Sequence, residues 1–134
     1  MIAFIQESFH NELYLLASRI VFTSFFWISA ILLMTQFTQA TNQMRGLGVP
    51  LPSFLIIATI ITQVTGSFLV ITNLFNLGWL AACGLALFTL VTIPIGHPFW
   101  KFDGEKRKQA LDVALEHITV IGGCMLTAAL SFGP

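Results

Sequence analysis

The sequence predicts an all-α, integral membrane four-helix bundle, on three observations. Only 9% of its 134 residues are charged and 56% are hydrophobic, whereas a soluble domain carries about 25% charged residues. Residues 46–100 contain no Asp, Glu, Lys or Arg. A spanning helix needs about 20 mostly apolar residues, so this stretch accommodates two spans, and the sequence on either side supplies one more each. We therefore predict that residues 1–134 form a single four-span domain.

The elements follow in order along the chain. Residues 1–11 mix apolar and polar side chains and predict a short interfacial lead-in. Glycine, proline and asparagine clusters mark the breaks between the apolar runs, and the charged FDGEKRKQ stretch separates the last two. The runs lack the period-two alternation of membrane barrel strands. We place the spans at about 13–34, 53–71, 79–95 and 110–130.

The basic residues predict the orientation, because cytoplasmic loops are enriched in Lys and Arg. Arg45 follows the first span, and four more basic residues, Lys101, Lys106, Arg107 and Lys108, follow the third. We therefore predict that loops 35–52 and 96–109 are cytoplasmic and that both termini lie outside.

Composition and motifs also limit the partners and cofactors. Six basic and six acidic residues cancel, which argues against nucleic acid as a partner. Cys83 and Cys124 lack C-x-x-C spacing, and neither a metal-ligand run nor a phosphate loop is present. We predict no catalytic residue, no metal and no cofactor, apart from contact with a quinone.

Polar side chains within the apolar runs are the candidate site residues. Arg19 lies inside the first span, where a charge is costly. It either snorkels or pairs, with Glu12 as the nearest partner, or it binds a ligand. Two stripes at helical spacing are predicted to face inward and pack helices together. They are Thr59, Gln63, Gly66 and Ser67 in span two, and Asp112, Glu116, Thr119, Gly123 and Thr127 in span four.

The cytoplasmic end of the predicted bundle collects His97 and Trp100 from span three and His117 from span four. These groups either form an interfacial rim or act as a proton relay or a quinone-headgroup contact. The predicted ligand-binding set is Arg19, Gln63, His97, Trp100 and His117.

Three sequence blocks resemble the DoxX family of small four-helix bacterial inner-membrane proteins. They are SRI at 18–20, LGVPLP at 47–52 and IGHPFW at 95–100, followed by VIGG at 120–123. Ala30 and Leu33 stand where the family often has G-x-x-K, and Gln63 stands where it often has a glutamate. Joint loss of this lysine and glutamate fits removal of a buried ion pair, which can leave stability intact.

The resemblance implies a bacterial inner-membrane location, in which the orientation predicted from the basic residues makes both termini periplasmic. It also implies an association with quinol oxidation and thiosulfate:quinone oxidoreductase assemblies. We expect a non-catalytic accessory or structural subunit of a respiratory or quinone-linked oxidoreductase complex. Its partners would be the lipid bilayer and a larger membrane-protein complex or further copies of itself. The alternatives are a small quinone-binding or catalytic oxidoreductase subunit and, last, a small-solute transporter, since no inverted repeat is visible.

Overall fold

A computed structural model describes residues 1–131, and within them every regular element is helical. The α-helices are α1 (Ile2–Phe9), α2 (Glu12–Thr35), α3 (Phe37–Gly46), α4 (Pro52–Thr72), α5 (Gly78–Gly96) and α6 (Gly104–Ser131). Four of them, α2, α4, α5 and α6, are long and apolar enough to cross a membrane. The predicted all-α membrane bundle is therefore confirmed.

The four long helices pack in the order α2, α4, α5, α6, each against the next. Their core contains one or two side chains from every helix, namely Phe26, Val70, Ala82, Leu85 and Cys124. Only 17–22% of each apolar window is buried, so most of each helix faces outward. We call the end at which α2 and α5 begin the Glu12 end, and the opposite end, at which α5 finishes, the His97 end.

Local capping groups set the helix boundaries. Asn11 caps α2, because its Oδ1 accepts a hydrogen bond from the Leu13 backbone N–H at 2.8 Å. Asn73 ends α4 in a left-handed conformation with φ 50°, which asparagine tolerates better than most residues. Its Oδ1 then accepts from the Gly78 N–H at 2.9 Å, at the first residue of α5. One side chain therefore joins two spanning helices.

The first predicted cytoplasmic loop, 35–52, contains a helix that the sequence did not predict. Helix α3 runs for ten residues after a break at Gln36, and it packs on α4 with Thr41 buried. Its residues have ordinary to good helix propensity, but they lack the long apolar run that identified the other helices. Gly48, with φ 78°, follows its end.

Helix α6 begins at Gly104, six residues before the predicted span. Glu, Lys, Arg and Gln are good helix formers, so the charged stretch continues the helix beyond the apolar run. The predicted inward stripe of α6 is wrong in its first half, because Asp112, Glu116 and Thr119 are exposed. Its buried face consists of Ala110, Ala114, His117 and Cys124. The stripe of α4 does face inward, with Gln63, Gly66 and Ser67 buried.

Candidate functional site

Two of the predicted site residues meet at the His97 end of the bundle. His97 follows the last residue of α5, and His117 lies on the inner face of α6 with 8% of its surface exposed. Their ring centroids are 4.9 Å apart with the ring planes at 65°. Phe25 of α2 contacts the His117 ring edge-on at 5.4 Å. The His117 imidazole of α6 is therefore in contact with one ring from α2 and with the histidine that follows α5.

A backbone contact fixes the hydrogen position on His117. Its Nδ1 lies 2.8 Å from the carbonyl oxygen of Val113, one turn earlier. A carbonyl oxygen only accepts hydrogen bonds, so Nδ1–H is the donor, and Nε2 of the neutral ring carries a lone pair. This Nε2 can accept a hydrogen bond from a hydroxyl group, such as that of a quinol.

Trp100 lies at the same end, in a short helical turn, Phe99–Lys101, that packs against α6. The indole is 53% exposed, and it contacts the Phe99 ring at a centroid distance of 5.1 Å. A half-exposed tryptophan at the end of a span is typical of the membrane–water boundary. Its position fits a rim around the histidine pair.

Arg19 lines a separate crevice at the Glu12 end. The crevice has a volume of about 200 Å³ and lies between α2 and α6. Its other lining residues are Leu15, Ser18, Phe22, Thr127, Leu130 and Ser131. Arg19 Nε is buried and has no hydrogen-bond partner within residues 1–131. Within residues 1–131, Arg19 does not form the expected pair with Glu12. The Glu12 side chain is exposed, and the two residues lie seven positions apart, about 10 Å along the helix.

Gln63 lies midway along α4 and is 4% exposed. Its Oε1 is buried without a hydrogen-bond partner in the described residues, as is the Oγ of Ser67 one turn later. Of the five predicted residues, His97 and His117 are in ring contact with each other, and Arg19 alone lines the crevice at the Glu12 end.

Sequence reasoning missed the phenylalanines of α2. Phe25 contacts His117, and Phe22 lines the Arg19 crevice. The signal that indicates them is their spacing: Phe22 lies three residues after Arg19 and Phe25 three residues further on, so successive members of this series are neighbours on the helix surface.

A protein-family match includes part of the site described above. The family model DoxX matches residues 14–98, which is more than half of the chain. The chain belongs to the DoxX family. The matched part of this DoxX protein contains α3 to α5 and nearly all of α2, and therefore Arg19, Gln63 and His97, whereas His117 lies beyond it. With its four apolar helices, it is a multi-pass membrane protein. The comparison with curated proteins gives no match, and neither does the comparison with solved structures.

Proposed function

We propose that this DoxX protein is a non-catalytic accessory subunit of a respiratory or quinone-linked oxidoreductase complex in a bacterial inner membrane. The observation that carries the proposal is the outward-facing carboxylate of Glu116 on α6. Glu116 is exposed although it lies six residues, about 9 Å, past Ala110, where the apolar part of α6 begins.

Contact of the Glu116 side chain with lipid is energetically unfavourable. An acidic group near the centre of a membrane helix costs roughly 2.5–3.5 kcal/mol on insertion scales, and such groups usually face protein or water. Thr119 is exposed on the same side, one turn further on. At Gly122 a Cβ would meet no atom within 4 Å. A carboxylate, a hydroxyl and a glycine together suit the close approach of a partner helix that carries a hydrogen-bond donor.

Much of the outer surface of the long helices is apolar, as a subunit embedded among lipids and partner helices requires. Large exposed hydrophobic side chains occur on all four long helices, for example Val21, Ile61, Leu87 and Met125. The link to quinone-dependent respiration is supported by the family membership and by the Nδ1 hydrogen bond of His117, which leaves the Nε2 lone pair as the acceptor of the neutral ring.

Co-purification tests the proposal. The tagged chain is extracted from its native membrane in a mild detergent, and the associated proteins are identified by mass spectrometry and assayed together for quinol oxidation. We expect larger redox subunits to remain attached to the wild type. The variant Thr119→Trp, which blocks the α6 face, should lose them, whereas Leu87→Trp, on an exposed site of α5, should keep them. A wild type that stays alone under these conditions contradicts the proposal.

A second candidate, a quinone-binding subunit, is favoured by the His97–His117 pair. We expect a quinol hydroxyl to donate to His117 Nε2 and the ring to rest against the aromatic side chains of this end. Titration of the purified chain with a short-chain quinol should show weaker binding for His117→Phe and His97→Ala. The exposed His10 supplies the control, His10→Ala. Equal binding by all four proteins removes this candidate.

A further inference from the structure

We infer that the Arg19 crevice binds the anionic head group of an amphiphile, that is, a carboxylate or phosphate group that carries a hydrocarbon chain. This inference does not depend on the proposed partner complex, because it concerns the opposite end of the bundle and a different pair of helices.

The first argument is the unsatisfied donor. A guanidinium group stays charged and has five N–H donors. Arg19 is one of the residues that line the crevice, and its Nε is buried without a partner in the described residues. Two hydroxyls of the crevice are already committed as donors, Ser18 to the Tyr14 carbonyl oxygen and Thr127 to that of Gly123, each at 2.8 Å. The guanidinium is therefore the group that selects the ligand, and it selects an anion with oxygen acceptors, which pair with arginine in bidentate fashion.

The second argument is size and lining. Pockets that enclose a whole small-molecule ligand measure roughly 300–1,000 Å³, whereas this crevice measures about 200 Å³. It has room for a head group but not for a long chain. Leu15, Phe22 and Leu130 make its walls largely apolar, and Leu130 is 78% exposed. The hydrocarbon chain would leave the crevice past Leu130 and lie on the outer apolar surface.

The third argument is the spacing of the two helices. Phe22 packs against Gly123 so closely that a Cβ there would lie 2.5 Å from its ring. The Phe22 ring thus forms part of the crevice wall and packs between α2 and α6. The crevice lies towards the Glu12 end, close to where the bundle ends and lipid head groups are expected, and a guanidinium group is suited to bind their anionic oxygens.

Native mass spectrometry of the purified full chain tests the inference. The protein is exchanged into detergent and titrated separately with palmitate, with phosphatidylglycerol and with phosphatidylcholine. We expect one equivalent of an anionic amphiphile to stay bound, and phosphatidylcholine to bind at least about tenfold more weakly. If palmitate binds better, the ligand is a free fatty acid; if phosphatidylglycerol binds better, it is an anionic phospholipid. If neither palmitate nor phosphatidylglycerol binds, the inference is wrong.

Three variants locate the site. Arg19→Gln should weaken binding by about tenfold or more, since it removes a charged hydrogen-bond donor. Arg45→Gln changes an exposed arginine at the other end and should bind like the wild type. Leu130→Trp keeps Arg19 but obstructs the mouth, so it should also weaken binding, which separates occupancy of the crevice from any folding defect of the arginine variant. Unchanged binding by both Arg19→Gln and Leu130→Trp contradicts the inference.

Discussion

Two adjacent glycines on α6 have opposite surroundings, although the sequence alone does not distinguish them. Gly123 packs against the rigid Phe22 ring, whereas a Cβ on Gly122 would meet nothing within 4 Å. Gly123→Ala should therefore lower the free energy of unfolding by about 1–3 kcal/mol through overpacking. Gly122→Ala should leave it unchanged or raise it by up to about 1 kcal/mol through helix propensity. Thermal unfolding in detergent measures both, and equal losses would contradict the α2–α6 contact.

Gln63 gives a second prediction at the residue scale. Its Oε1 is buried without a partner in the described chain, and a buried acceptor without a hydrogen bond is unfavourable. Gln63→Met, of similar length and without polar donors or acceptors, should maintain or raise thermal stability. Gln63→Glu places a charge in the same position and should lower it by several kcal/mol. A marked loss with methionine would show that the amide has a bonding role that this structure does not contain.

The sequence predicts the spatial neighbours of some site residues but not of others. His97 and His117 could be expected together, because consecutive antiparallel spans bring the end of one near the start of the next. The Arg19 crevice depends on the packing of α2 and α6, which are distant in sequence. The first half of the α6 stripe, Asp112, Glu116 and Thr119, was assigned to the wrong face, because small and polar residues line both inner and outer helix contacts. Periodicity shows which residues share a face, but not which way the face points.

At the scale of elements, Asn73 supplies a prediction for the α4–α5 connection. It has a positive φ, and its Oδ1 accepts from Gly78 N–H. Asn73→Ala loses both the tolerance of this backbone conformation and the cap, and should lower the free energy of unfolding by about 1–3 kcal/mol. Asn73→Asp retains the acceptor oxygen and much of the tolerance, and should lose clearly less. The melting temperatures of the two variants test this prediction, and Asn73→Asp should melt at the higher temperature. The reverse order would contradict the capping role.

The helices themselves follow from sequence features of different strength. Helices α2, α4 and α5 begin and end within one residue of the apolar ranges 13–34, 53–71 and 79–95. Glycine, proline or asparagine marks each of these ends except that of α2, where the break falls at Gln36. Where the bilayer surface lies along each helix stays a prediction. Helix α3 and the first turns of α6 were not predicted, because polar helices lack the apolar run on which the reading relied.

At the scale of the whole molecule, the fold class was accessible from composition and from the distribution of charge alone. A chain with so few charges must cover its surface with lipid or protein, and the four apolar helices leave about four fifths of each apolar window unburied. The lateral order of the helices needed the structure. Both proposals depend on the arrangement that places Glu12, α1 and the end of α6 on one side and α3 with the His97 end on the other.

Cysteine labelling of intact cells tests that arrangement most directly. In a background of Cys83→Ser and Cys124→Ala, single cysteines are introduced by Asn11→Cys, Asn42→Cys, Asn76→Cys and Asp103→Cys. A membrane-impermeant maleimide should label positions 11 and 76 before lysis, and positions 42 and 103 only after lysis. Labelling of positions 11 and 42 from the same side would contradict the four crossings.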